Sequence, residues 1–200
     1  MKAAVFEALG KFVVKDVDIP ELPEDGIQVK VKACAICGSD LRIYRHGHPM
    51  FDPPQVMGHE IAGDVVKIGP KVTKFKVGDR VAVGADSPCG GCDMCEKGLG
   101  TYCQNLNGVG YTISGGFAEY CVFPGFAVHN GPIHKIPNDL PYDQAAIAEP
   151  LGCIINGMER IGVQIGDVAV IMGAGPIGSM MIPLLHSIGA TKVIMMDPDE

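Results

Sequence analysis

Apolar and polar residues alternate from Ile27 to Ala33, with Ile27, Val29, Val31 and Ala33 on one face and Gln28, Lys30 and Lys32 on the other. A period of two predicts a half-buried strand. Pro20, Pro23 and Gly26 punctuate this first stretch, and comparable short runs at Ile61–Ile68, Arg80–Val83 and Phe117–Phe123 predict further strands. Roughly the first 140 residues therefore read as a mostly β domain.

At Tyr142 the texture changes. Ala145, Ala146, Ile147, Leu151, Ile154, Ile155 and Met158 recur at helical spacing up to Gly162, which predicts a helix bridging two domains. Val168–Met172 follows as a continuous apolar run, suited to a strand buried on both faces. A glycine turn, an apolar helical segment to Ile188 and a second strand from Val193 to Met196 complete one βαβ unit. Pro183 falls inside that helix, where it lacks a donor N–H and clashes one turn back near Ser179, so a kink is expected.

The chain has 200 residues, of which 47% are hydrophobic and 20% charged, an ordinary balance for a globular protein with a real core. A net charge of -7 argues against general nucleic-acid binding. The N-terminus, Met1-Lys2-Ala3-Ala4-Val5-Phe6-Glu7, carries an acid where a signal peptide is apolar, and no apolar run reaches membrane-spanning length. These features predict a cytoplasmic protein without membrane partners. In a reducing compartment its eight cysteines read as metal ligands or buried thiols.

Four of them, Cys89, Cys92, Cys95 and Cys103, follow the spacing C-x2-C-x2-C-x7-C on a glycine-rich loop. Three thiols two residues apart can face one centre and the fourth can close a tetrahedron, which predicts a structural zinc site. The alternative is a pair of disulfides crowded into one loop. Four thiolates leave no open position for substrate, so this metal is expected to hold a lobe together.

The second strand-turn-helix carries Gly173-Ala174-Gly175-Pro176-Ile177-Gly178, with Asp197 nineteen residues beyond Gly178 at the end of the next strand. Glycines there permit the tight turn and the approach of a pyrophosphate to the helix N-terminus, while Asp197 binds a ribose hydroxyl pair and repels a 2'-phosphate. The pattern predicts NAD in preference to NADP. A single βαβ unit is too little for a dinucleotide fold, so the chain is expected to be the N-terminal part of a longer protein.

A further constellation lies in the β region. Cys37-Gly38-Ser39-Asp40 follows a strand and Gly58-His59-Glu60 precedes one. A thiolate, an imidazole and one or two carboxylates drawn from separate loops make a zinc site with an open position. From spacing alone, His59 can equally be a satisfied structural histidine. Cys34-x-x-Cys37 has the spacing of a redox pair, Cys121 and Cys153 lie in apolar runs and read as buried small side chains, and His46-Gly47-His48 reads as a solvated loop.

Taken with Glu149-Pro150-Leu151, the four-cysteine lobe and Gly173 to Gly178, these motifs resemble the zinc-dependent medium-chain dehydrogenase/reductase family, in the branch of the sorbitol and threonine dehydrogenases. The resemblance covers the whole chain. It implies a GroES-like β-barrel catalytic domain over residues 1–150, with its zinc lobe at 86–107, and the start of an NAD-binding Rossmann domain over 151–200. It further implies two zinc ions per chain, NAD, a small-molecule alcohol substrate and a homodimer or homotetramer at full length. By resemblance, Cys37 and His59 bind the catalytic zinc, Glu60 is a ligand or exchanges with water, and Glu149 supplies the remaining carboxylate. Ser39 takes the proton of the substrate hydroxyl, and hydride passes to the nicotinamide. Relatives often carry a histidine five residues after the cysteine as the outer end of a proton relay, where this chain has Arg42, which stays charged. The competing readings are a non-catalytic zinc-binding fragment of such an enzyme and a threonine 3-dehydrogenase-type amino-alcohol dehydrogenase.

Overall fold

The computed structural model describes residues 1–199. The chain divides into two compact units, Met1–Glu149 and the residues from Pro150 onward.

The first unit is built on two sheets. In chain order its elements are β1 (Lys2–Ala8), β2 (Lys11–Asp16), β3 (Ile27–Ala35), α1 (Gly38–His46), β4 (Gln55–Val56), β5 (Glu60–Ile68) and β6 (Arg80–Val83). They are followed by β7 (Asp86–Ser87), α2 (Asp93–Glu96), β8 (Asn107–Gly108), β9 (Tyr120–Phe123), α3 (Gly125–Asn130), β10 (Ile133–Lys135) and α4 (Tyr142–Ala146). A three-stranded sheet runs β2-β1-β4 and a five-stranded sheet β10-β6-β5-β3-β9, with antiparallel pairing throughout. Residues 117–119 stitch the two together, because Ala4 N–H donates to Phe117 O and Val31 N–H to Glu119 O.

The main core lies on the five-stranded sheet, where Ile27, Val29, Ile61, Val81 and Phe123 are closed off from solvent. Alternation fails at one point: Gln28 is buried along with its neighbours. Gln28 sits at the start of β3, whereas Lys30 and Lys32 farther along remain exposed. The strand expected over Phe117–Phe123 is regular only from Tyr120, since the stretch before it serves as the stitch between sheets. Helix α1, which has no counterpart among the sequence-predicted elements, buries Ile43 and Asp40 alone.

The helix expected from Tyr142 to Gly162 is two helices, α4 and α5 (Ala148–Ile161). Pro150 accounts for the break. It has no N–H to donate to the carbonyl of Ala146 and its ring clashes with that carbonyl, so α4 ends at Ala146 and a new helix starts with the proline in its first turn. Ile154 and Met158 then form the buried stripe of α5, and Cys153 lies off it, exposed, which corrects the expectation that it is buried.

The second unit holds β11 (Val168–Met172), α6 (Pro176–Ile188) and β12 (Lys192–Met196), with β11 and β12 paired in parallel. Helix α6 runs as one element across Pro183. Its core gathers Ile154, Met158, Ile171, Leu185 and Ala190. Strand β11 is not buried on both faces: Val168, Val170 and Met172 are 59%, 52% and 84% exposed, while Ile171 on the opposite face packs in the core with Ile154, Met158 and Leu185. No helix among the described residues is long and apolar enough to cross a membrane.

Candidate metal centres and cofactor turn

Two groups of side chains in the first unit bring ligand atoms together. One ligand atom from each of Cys37, His59 and Glu60 lies within 4.8 Å of the others, and the same holds for Cys89, Cys92, Cys95 and Cys103.

The first group sits where β3 ends and β5 begins. Ala35 and Glu60 are paired across those strands, so Cys37, two residues past one, and His59, one before the other, meet at the same end of the sheet. Cys37 is the N-cap of α1, and Asp40 in the first turn accepts a 2.9 Å hydrogen bond from the Cys37 N–H, which pins the loop that presents the thiol. On the opposite side Gly58 adopts φ +92, and a side chain there would collide with Phe117 and with the Cys34 sulfur. His59 and Glu60 are 4% and 5% exposed.

Within this corner Ser39 Oγ stands 3.5 Å from His59 Nε2, and Asp40 Oδ1 stands 3.8 Å from His59 Nδ1. Nδ1 is buried without a hydrogen-bond partner. Burial raises Glu60, opposed by the charge of His59 and by a hydrogen bond from the Cys37 thiol. Burial likewise raises Asp40, opposed by the Cys37 N–H, His59 and the Gly58 N–H. Asp86, in β7, is raised by burial and lowered by His59. Glu149 is raised by burial, lowered by His59, and raised again by Glu60, Asp86 and Asp40. Four carboxylates thus crowd one imidazole in a place poor in water, an arrangement whose unfavourable charge a divalent cation relieves. Glu149 is part of this electrostatic group but stands outside the trio with converging ligand atoms.

The second group occupies the excursion between β7 and β8, whose base is closed by the pairs Asp86↔Gly108 and Ser87↔Asn107. Sulfur separations are 4.0 Å for Cys89 and Cys95, 3.5 Å for Cys92 and Cys95 and 3.8 Å for Cys92 and Cys103. A tetrahedron of zinc–sulfur bonds has an edge of about 3.8 Å, so the four sulfurs already outline one. The N–H groups of Cys89 and Asn105 each point at Cys103 Sγ at 3.3 Å. Backbone N–H groups of Cys95 and then Gln104 bring Cys92 down to about 6, the direction a metal-binding thiolate needs. Cys89, Cys92, Cys95 and Cys103 are thiols outside any disulfide. Cys34 is held up at about 12 by burial, which suppresses the thiolate that redox exchange with Cys37 requires.

In the second unit, Gly173 has φ +104, and a side chain at Gly178 would come within 2.0 Å of the Gly173 carbonyl, so both positions require glycine. Gly175 caps α6 and Pro176 and Ile177 open it. Asp197 closes the turn from the next strand: its Oδ2 accepts the Ala174 N–H at 2.6 Å and its Oδ1 the Asp199 N–H at 3.0 Å. These two bonds, that from Ala174 the larger, lower Asp197 and keep it charged.

Asp40, Asp86 and Tyr111 belong to the metal corner and were not singled out from the sequence as site residues. Asp40 did carry a signal, an acid three residues after a helix cap. Tyr111, whose ring centroid lies 5.8 Å from that of His59, carried none. His48, expected in a solvated loop, is half-buried with its ring against Tyr111 at 5.4 Å.

Comparison with known proteins bears on this geometry. The model of the alcohol dehydrogenase GroES-like domain matches residues 23–138, more than half of the chain. D-altritol 5-dehydrogenase of Agrobacterium fabrum is 39% identical over 100% of this chain and 59% of its own length. L-threonine 3-dehydrogenase of Shewanella sp. ANA-3 is 37% identical over 92% of this chain and 53% of its own length. Among solved structures, a protein assigned as a zinc-binding dehydrogenase of Sinorhizobium meliloti 1021, bound to NADP, superposes with a TM-score of 0.89 at 36% identity, over 97% of this chain and 55% of that one. The chain therefore spans little more than half the length of these relatives. Its first part is a mostly β GroES-like domain with a cysteine lobe, its last part the first βαβ unit of a Rossmann fold, and the chain belongs to the zinc-dependent medium-chain dehydrogenase family.

Proposed function

We propose that the protein containing this chain oxidises a polyol or another secondary alcohol and passes the hydride to NAD. In this reading residues 1–150 form the catalytic domain and residues 151–200 begin the NAD-binding domain. Cys37, His59 and Glu60 hold a catalytic zinc, with Glu149 as the nearby carboxylate, and Cys89, Cys92, Cys95 and Cys103 hold a structural one. The observation that carries it is the convergence of Cys37, His59 and Glu60 ligand atoms to within 4.8 Å in a corner crowded with buried carboxylates. One sulfur, one nitrogen and one oxygen donor make a centre that leaves a coordination position open.

A zinc ion held there supplies Lewis acidity, lowering the pKa of a hydroxyl placed on it. The residues of the chain do the rest. Asp40 Oδ1 lies 3.8 Å from Nδ1 of His59, on the side of the ring away from Ser39, where its charge favours a proton on that nitrogen and leaves Nε2 for the metal. Ser39, beside Nε2, accepts the proton of the substrate hydroxyl and passes its own outward. Arg42 cannot take it, since a guanidinium does not deprotonate. Gly173, Gly175, Pro176, Ile177 and Gly178 present the N-terminus of α6 to a pyrophosphate, and the charged Asp197 favours a free ribose 2'-hydroxyl over a 2'-phosphate.

The family resemblance supports a small-molecule alcohol as substrate and a homodimeric or homotetrameric assembly at full length, and the acidic N-terminal stretch supports a cytoplasmic location. The carboxylates around the corner also suit an alcohol bearing an ammonium group, as in the threonine-oxidising relative. The test is reduction of NAD and of NADP by the zinc-loaded protein with a panel of polyols, secondary alcohols and threonine. Polyol-dependent reduction of NAD is expected, and failure of every alcohol with both cofactors contradicts the reading.

A further inference from the structure

Strand β6 runs from a side-chain clamp at its start to the metal corner at its end. At the start, Arg80 donates from Nη1 to the carbonyls of Pro137 and Asn138, at 2.7 and 2.5 Å, and from Nη2 to that of Leu140 at 2.6 Å. These carbonyls belong to the segment that leads into α4. The same guanidinium lies over the ring of Tyr142, the first residue of that helix, 4.1 Å from its centroid. The Tyr142 hydroxyl donates to Asp64, which is paired with Arg80 across β5 and β6. Along the middle of the strand Ala82 is paired with Ala62, against which Ala145 and Ala146 of α4 are buried, so small side chains let the helix lie close on the sheet. Past its end comes Gly84, where a Cβ would stand 3.5 Å from Cγ of Glu149. Val83 is paired with Ile61, which brings Gly84 level with Glu60 of the converging trio.

Tyr142 and Glu149 thus lie beside the two ends of one strand. From Arg80 to Gly84 the strand advances about 13 Å, and the largely helical path from Tyr142 to Glu149 advances about 10 Å, so the two spans nearly match. Resting on the dehydrogenase reading above, we propose that Arg80 is a positioning residue: by fixing where α4 starts at one end of β6, it delivers the Glu149 carboxylate to the metal corner at the other. Starting the helix one residue later would shift Glu149 by about 1.5 Å and turn it by about 100°, away from Glu60. Arginine suits the task because a planar fork can serve several carbonyls while its face stacks on a ring, which an ammonium does not do.

The experiment titrates the zinc-loaded protein with a chelator and reads the corner zinc against the lobe zinc, in the wild type, Arg80→Gln, Glu149→Gln and the double variant. Each single change is expected to weaken the corner about tenfold and to leave the lobe as it was. Because Arg80 acts through Glu149, the double variant is expected to match Glu149→Gln alone, whereas independent effects would multiply to about a hundredfold. With cobalt(II) in place of zinc, the ligand-field bands of the corner in Arg80→Gln should move toward those of Glu149→Gln. Arg80→Lys keeps the charge and gives up the fork; it should show a smaller loss that vanishes in the Glu149→Gln background, and it carries the comparison if Arg80→Gln does not fold. A hundredfold loss in the double variant, equal loss from corner and lobe, or an unchanged corner in either single variant overturns the positioning role and leaves the dehydrogenase reading standing. A wild type that holds zinc in the lobe alone contradicts both.

Discussion

Asp40 Oδ1 lies 3.8 Å from Nδ1 of His59, with both side chains 5% exposed, so the carboxylate addresses the ring nitrogen opposite the one that faces Ser39. Asp40 also accepts the Cys37 N–H, and so it touches the supports of two proposed metal ligands at once. Outer partners of this kind fix the tautomer and orientation of a ligating histidine. Asp40→Asn is expected to weaken zinc binding at this corner about 10- to 100-fold. Chelator competition, with the lobe zinc as internal standard, checks it; equal loss from both centres points instead to general unfolding.

Without metal, the corner stores unfavourable charge. Burial raises Asp40, Glu60, Asp86 and Glu149. A carboxylate whose folded pKa is raised contributes stability that is complete below its unfolded pKa and lost as pH rises through the folded one. Glu7, Asp79 and Asp197 are lowered and act in the opposite sense, losing stability only as pH falls below the ordinary carboxylate range. Metal-free protein should therefore gain thermal stability as pH falls from neutral toward the ordinary carboxylate range, and zinc-loaded protein should lose it as protons displace the ion. Thermal melts in chelator and in zinc test this, and a metal-free Tm that falls over that interval counts against the charge balance described.

In the lobe, sulfurs 3.5 to 4.0 Å apart hang on a loop with little apolar burial, so in the proposed reading a metal rather than a core holds it. Cys92→Ala should remove one zinc and speed amide exchange from Cys89 to Asn105, while the five-stranded sheet keeps its protection. Hydrogen exchange resolves the two regions. Unchanged protection in the lobe would show that the chain folds it unaided.

Much of this architecture is legible in the sequence because short-range rules wrote it. Arg80–Val83 and Val168–Met172 are strands with the predicted bounds, and the cysteine spacing and the Gly173–Gly178 turn each depend on neighbours a few residues away. What stayed hidden depended on long-range placement or on competing local rules. Pro150 divided a segment whose apolar period was otherwise helical, because the period reports which face is buried and says nothing of a missing N–H. Gln28 is buried at a polar position of the alternation, which a period of two does not report. Tyr111 reaches the corner through a turn clamped by Gln55, a pairing that no spacing rule encodes. Glu149 was legible as an acid near the corner, but its distance from the converging trio was not.

Asp197 ties the end of β12 to the glycine turn through the Ala174 N–H. Asp197→Ala should release that turn, so the Ala174 amide exchanges faster even before any cofactor is added, and preference for NAD over NADP should shrink. Amide exchange and cofactor titration read the two effects separately. An unaltered preference would show that the acid braces the turn without reading the ribose.

The most direct test is zinc stoichiometry measured by elemental analysis on the wild type and on Cys37→Ala. Two zinc ions per chain, falling to one in Cys37→Ala with an unchanged fold, is the expected result. A wild type that holds a single zinc, or a Cys37→Ala variant that still holds two, contradicts the proposed catalytic centre.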